Sequence, residues 1–182
     1  MIESSELLKK CLSIELGAYR CALFEFLFLI IERLRGDEQV VKHEILYPLR
    51  KYEYYLNTHK WGFRKIFWHF IFRNRQLAHD IYIEPNAVGL GLNLMHPGFR
   101  KIPKNVRIGK NCTLLPMVLI GKKKPGIENN ISIGDSCFIS TGVTILGPCK
   151  IGDNVTIGAG AVVTKDIPDN EVVVGVPAHV ID

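Results

Sequence analysis

A spacing of six residues runs through the second half of the chain and limits what it can fold into. Aliphatic side chains stand at positions 102, 108, 114 and 120 and, after an interruption, at 133, 139, 145, 151, 157 and 163. This is neither the 3.6-residue period of a helix nor the alternation of a half-buried strand. Four residues beyond most of these anchors comes a second small or apolar side chain, at Cys112, Val118, Cys137, Val143, Cys149, Val155 and Ala161. Glycine follows the anchor at 109, 121, 134, 152 and 158, and Asn or Asp appears soon after at 111, 135, 153 and 154. Those residue types tolerate a left-handed backbone and mark turns. A unit of six residues cannot bury an apolar face alone, so its units must stack along an axis. If each unit is a short strand plus a turn, three close one triangular coil, with Ile133 beneath Ile151, Ile139 beneath Ile157 and Ile145 beneath Val163. The expected fold of residues 81–174 is therefore a parallel β-helix prism, with 175–182 as a C-terminal tail. The period itself sets no handedness.

The first part of the chain obeys other rules. Fourteen of the seventeen aromatic residues lie in the first 80 positions. Apolar residues recur there at helical spacing, in Leu23, Leu27, Ile30, Ile31 and Leu34 and again in Ile66, Phe67, Phe70 and Ile71. Breaks are expected at Ser4, Gly36, Pro48 and between Asn57 and Gly62. Residues 1–80 are read as an α-helical domain of three or four segments. With 47% hydrophobic residues and a net charge of +5, the 182-residue chain is neither disordered nor a polyelectrolyte. Its cations are interspersed with acids, which disfavours nucleic acid as a partner. The start of the chain carries no signal-peptide pattern. The longest apolar block, Ala22 to Ile31, is about half a membrane span and contains Glu25. A cytoplasmic protein is expected. The five cysteines form no CxxC pair and the six histidines no metal-binding spacing, so no metal site is expected.

Chemistry is suggested where the period breaks. Between the anchors at 120 and 133 lies a loop, 121–132, that opens with Lys122, Lys123, Lys124 and Pro125. One rung below Ile102 the aliphatic anchor is replaced by His96. Periodicity by itself fits a plain scaffold or binding solenoid as well as an enzyme.

The segments GLGLNLMHPG at 89–98, IGKNCT at 108–113, IGDNVTIGAGAVVTKDIP at 151–168 and GVPAHVI at 175–181 resemble the hexapeptide-repeat acyltransferases. Within them they are most similar to the serine acetyltransferase group and its relatives from surface-polysaccharide loci. The resemblance covers roughly residues 80–181, and the helical N-terminal part fits the same group. It implies a left-handed β-helix, a homotrimer, and acetyl-CoA as co-substrate in a groove between adjacent prisms. His96 matches the family's catalytic His, which takes the proton of an acceptor hydroxyl as its oxygen attacks the thioester. The family's Asp before that His is Met95 here, its orienting Asp near the start of the prism is Tyr82, and its second His is Asn130. Asp80 or Glu84 is the candidate to replace the orienting carboxylate, and either could instead be a cap or a solvated turn residue. These changes leave the acceptor open between serine and a sugar of a surface glycan. Nitrogen transfer to an amino sugar and a non-catalytic trimeric binding protein remain the alternatives.

Coenzyme A needs cations for its phosphates and close backbone approach along its arm. Lys122, Lys123, Lys124 and Lys165 are the candidate cations, with a solvated loop as the alternative. Gly121, Ser140, Thr141, Gly142, Gly158, Ala159 and Gly160 are candidates for the groove wall, or turn residues only. Backbone N–H groups near Gly121 or Ser140 are candidates for the oxyanion. Trp61 to Arg75 interleaves aromatic and basic residues, a pattern that suits subunit packing or peripheral contact with an anionic membrane.

Overall fold

The computed structural model describes residues 1–17, 34–35, 37–58, 62–124 and 130–181. The expected helical stripe from Leu23 to Ile31, the break at Gly36, and Cys21, His59, Trp61 and Pro125 lie outside the described residues. Internal contacts divide the chain into two units, Met1–His79 and Asp80–Asp182.

The first unit is helical. Helix α1 (Ser5–Leu16) starts where the Ser4 hydroxyl accepts the Leu7 N–H at 3.1 Å, and it stops at Gly17 with φ +76°. Helix α2 (Gln39–Asn57) begins beside Asp37, whose carboxylate accepts the Gln39 N–H at 2.7 Å. Pro48 does not end a helix as its type suggests; it lies buried inside α2. The missing hydrogen bond costs stability, but Ile45, Leu46 and Leu49 are fully buried on either side of it and hold the helix. Helix α3 (Phe63–His79) packs on α2 through Phe72 and Gln76. Within this unit Ile66, Phe67 and Phe70 face outward, opposite to that buried side. Arg50 ties α1 to α2, donating to Glu15 at 2.6 and 3.0 Å and to Glu53 at 2.8 Å with all three side chains buried. His79 and Arg75 both meet Glu44, at 2.6 and 3.3 Å.

The second unit cycles through three parallel sheets. In chain order its strands are β1 (Ile81–Ile83), β2 (Asn93–Leu94), β3 (Arg100–Ile102), β4 (Val106–Ile108), β5 (Thr113–Leu114), β6 (Val118–Lys122) and β7 (Ile131–Ile133). They continue as β8 (Phe138–Ile139), β9 (Thr144–Gly147), β10 (Cys149–Ile151), β11 (Thr156–Ile157), β12 (Val162–Val163), β13 (Val172–Val174) and β14 (His179–Val180). One face is β1-β3-β6-β9-β12, a second is β4-β7-β10, and a third is β2-β5-β8-β11-β13 with β14 added at its end. Each coil visits the first, second and third face in turn, the strand order of the left-handed hexapeptide-repeat β-helix.

The register is the one that the period of six demands: Ile151 pairs with Ile133, Ile157 with Ile139, and Val163 with Ile145. Every anchor from Ile102 to Val163 is buried, as are Cys112, Val118, Cys137, Val143, Cys149, Val155 and Ala161. The corner between the second and third faces explains one set of glycines. A Cβ on Gly134 would lie 2.1 Å from Asp153 Oδ1 and 2.6 Å from the Gly152 carbonyl. These carboxylates brace successive coils: Asp135 accepts the Lys110 N–H, Asp153 that of Asp135, and Asp169 that of Asp153, at 2.7, 2.7 and 2.8 Å.

Candidate active site

The chain leaves the third face after β2 and enters the first face at β3, so residues 95–99 form a corner of the prism. His96 sits there with φ +59° and an exposed side chain. A left-handed backbone is costly for a residue with a Cβ, and Pro97 follows directly. The turn is pressed on the coil above, since a Cβ on Gly98 would stand 3.1 Å from Pro116 Cβ. It is also tied there by the Met117 N–H, which donates to the Phe99 carbonyl at 2.7 Å.

The sequence reading missed the residue that holds this turn. Arg100 is fully buried in β3, in the inward row between Ile81 and Val118. Its guanidinium donates to the carbonyls of Met95, His96 (2.7 Å), Gly98 (3.0 Å) and Leu114 (3.2 and 3.3 Å). Burial pulls its pKa down to about 10, which leaves the charge in place at neutral pH. A signal for it existed: Arg100 stands four residues after position 96, where most of the other repeats carry Val, Cys or Ala.

The same corner recurs on each coil at 115–117, 140–142 and 158–160, and backbone bonds join the coils. Gly142 donates to the Pro116 carbonyl at 3.0 Å and Gly160 to that of Thr141 at 2.8 Å, while the Thr141 hydroxyl donates to Pro116 at 3.0 Å. Ser140, Thr141, Gly158 and Ala159 therefore share one edge of the prism with His96. The Ser140 N–H donates to the Ile157 carbonyl at 3.0 Å, so that amide belongs to the ladder. Gly121, Lys122 and Lys123 lie at the opposite edge of the first face, where Lys122 pairs with Gly147. Lys165 follows β12 at that same edge and is exposed. About four residues of strand separate the two edges, or roughly 13 Å.

Asp80 and Glu84 fall at different edges. Asp80, with φ +54°, is on the His96 side, where its carbonyl accepts the Arg100 N–H at 3.0 Å. Its carboxylate accepts from the Tyr82 hydroxyl at 3.4 Å. Glu84 follows the far end of β1, and its N–H donates to the Ile102 carbonyl at 3.2 Å. Tyr82 and Phe99 stand with ring centroids 6.4 Å apart, and Met95 beside His96 is 37% exposed. Asn130 precedes β7 and is exposed.

The prism cysteines face inward. Cys112 and Cys137 donate to the Gly134 and Gly152 carbonyls, each at 3.2 Å, and burial pushes the Cys149 thiol up to about 11. Among the described residues no group of three His, Cys, Asp or Glu side chains could hold a metal ion, and no helix is long and apolar enough to cross a membrane.

Two family models match this unit: the bacterial transferase hexapeptide (six repeats) over residues 130–165, and the hexapeptide repeat of succinyl-transferase over 102–147. A serine acetyltransferase of Mycobacterium tuberculosis is 38% identical over 101 residues, which is 54% of this chain and 44% of the relative. The chain thus spans less than half the length of that relative. The crystal structure of Neisseria gonorrhoeae serine acetyltransferase in complex with serine superposes with a TM-score of 0.69 at 26% identity, covering 98% of this chain and 71% of the other. A serine acetyltransferase solved in complex with CoA has the same fold, with a TM-score of 0.64 at 18% identity over 97% of this chain and 70% of that one. By repeat, register and these likenesses, the second unit is a hexapeptide-repeat β-helix similar to that of the serine acetyltransferases.

Proposed function

We propose that this chain transfers an acetyl group from acetyl-CoA to an acceptor hydroxyl, with His96 as the general base. The observation that carries the reading is the shared edge: an exposed His96 in line with Ser140, Thr141, Gly158 and Ala159, with lysines at the other edge of the same sheet. An alcohol is a weak nucleophile near neutral pH, so a neutral imidazole must take its proton as the oxygen attacks the thioester carbonyl. When the tetrahedral intermediate collapses, the C–S bond breaks and the proton passes to the thiolate leaving group. Ester and free CoA thiol are the products. The small residues at 140–142 and 158–160 suit close approach of the pantetheine arm, and Lys122, Lys123 and Lys165 suit its phosphates. Asp80, at the His96 edge, is the better placed of the two carboxylates to orient the ring. In this reading three chains form a trimer, the cofactor lies between adjacent prisms, and the reaction is cytoplasmic, where acetyl-CoA is made.

Serine is the acceptor that the names of the relatives give. A second reading, a sugar hydroxyl, has its own support in Met95 and the Tyr82–Phe99 pair. A thioether offers no partner to an amino acid's ammonium group, whereas aromatic faces suit the apolar face of a sugar ring. The test is CoA-thiol release from acetyl-CoA with L-serine, with nucleotide-linked sugars and with polymeric glycans, followed by the mass of the product. His96→Ala should lower turnover by about 10²- to 10⁴-fold. Turnover within a few-fold of the unmodified protein would remove His96 as the base.

A further inference from the structure

Among the described residues of the second unit, Arg100 is a buried charged side chain in a row whose other buried side chains are aliphatic, thiol or alanine. It fills the rung at which the anchor is missing, because His96, the residue in phase with Ile102, turns its side chain outward. A buried cation ordinarily demands a carboxylate, but among the described residues no Asp or Glu contacts it. All of its partners are carbonyl oxygens, and three of the four belong to the turn that bears His96. The planar guanidinium carries five N–H donors in a fixed fork, which lets one side chain span several carbonyls at once. The turn needs such a hold, since His96 has a left-handed backbone and Pro97 removes an N–H that could have tied it. Leu114, the fourth partner, links the same fork to the next coil of the prism.

We propose that Arg100 is a positioning residue: its guanidinium fixes the Met95–Gly98 turn in the conformation that presents the His96 imidazole at the edge of the first face. The inference rests on the reading of His96 as the base. Arg100→Lys keeps the charge but offers a compact ammonium that cannot span these carbonyls. Arg100→Met keeps the length of the stem and removes every donor.

Arg100→Met should lose about 10²-fold in kcat, the scale of a misplacement of roughly 1 Å, while KM for acetyl-CoA stays within about twofold in both variants. Arg100→Lys should recover part of the loss shown by Arg100→Met. In the background of His96→Ala, Arg100→Lys should cost nothing further, because a hold on an absent base has no effect; a full additional loss would overturn the proposal. NMR of histidine labelled with carbon-13 at Cε1 follows the ring without turnover. The His96 resonance should shift or broaden in Arg100→Lys while that of His43 stays put, and an unchanged His96 signal would equally overturn it. Because either variant can fail to fold, the unmodified protein carries a third measurement. Its Arg100 Nη protons should be resolved and protected from exchange, and rapid averaging would refute the fork. If the unmodified protein releases no CoA thiol with any acceptor, the proposed reaction falls, while the two NMR measurements still decide whether Arg100 holds the turn.

Discussion

Gly134→Ala tests the stacking of the prism at its tightest corner. The new methyl carbon would stand 2.1 Å from Asp153 Oδ1 and 2.6 Å from the Gly152 carbonyl, against an optimal separation of about 3.5–4.0 Å. The Asp153 carboxylate can swing aside, but it then releases the Asp135 N–H that it accepts at 2.7 Å. The Gly152 carbonyl has less freedom, because it also accepts from Cys137 Sγ and the Gly152 N–H is bound to Ile167 at 2.9 Å. Overpacking of this kind costs about 1–3 kcal/mol, and the lost amide–carboxylate bond adds about 1 kcal/mol. The sum, about 2–4 kcal/mol, corresponds to a fall in Tm of roughly 10–20 °C for a unit of this size. Gly121→Ala is the control, since no atom lies within 4 Å of its added methyl and its backbone is not left-handed. Both variants lose the same entropy in the unfolded chain, so that contribution cancels in their difference. The assay is thermal unfolding followed by far-UV circular dichroism at one fixed protein concentration. A Gly134→Ala midpoint within about 2 °C of the Gly121→Ala midpoint would refute the described corner.

Three further outcomes are expected. Burial holds the His43 imidazole below its usual pKa of about 6.5. The unfolded chain then takes up a proton that the folded helical unit resists, so stability present above pH 6.5 is lost as pH falls through the lowered value. Urea midpoints followed by Trp68 fluorescence should drop between pH 7.5 and 5, and His43→Gln should flatten that slope; an unaltered slope would discard the account. Arg50→Met leaves Glu15 and Glu53 as buried carboxylates without their guanidinium and should cost about 3–5 kcal/mol in the same urea assay, a cost below 1 kcal/mol arguing against a working ion cluster. Replacing Lys122 and Lys123 by Ala should raise KM for acetyl-CoA about 5- to 30-fold at low salt, the ratio given by one to two kcal/mol, and the effect should shrink as salt rises. An unchanged KM would make these lysines a solvated loop.

The register of the prism was readable because a single period dictates both faces of every strand: Ile133, Ile139 and Ile145 lie one coil from their partners because nothing else repeats at that spacing. The helical part was less legible. Pro48 is a strong local signal against a helix, yet tertiary burial around Leu46 and Leu49 overrides it. Ile66, Phe67 and Phe70 have the spacing of a core stripe, and spacing cannot say whether a stripe points inward. In the candidate site, His96 stood out as the wrong residue for its phase. Arg100 occupied an equally wrong phase, but a lone arginine reads as surface until its carbonyl partners are brought together by the fold. Asp80 and Glu84 are four residues apart in sequence and stand at opposite edges of a sheet, because β1 runs the full width of the face between them. Only the strand's length separates the two candidates.

The last residues of the prism break its rule of parallel pairing. Strand β14 runs antiparallel on β13, Ala178 donates to the Val162 carbonyl at 2.8 Å, and Ile167 bridges to Ile151 where the second face ends. A solenoid offers at its final turn the same row of unsatisfied amides and carbonyls that recruited each turn before it, an open template for another molecule. Folding the GVPAHVI segment back across two of those rims occupies with the chain's own backbone the donors and acceptors that a further turn would have used.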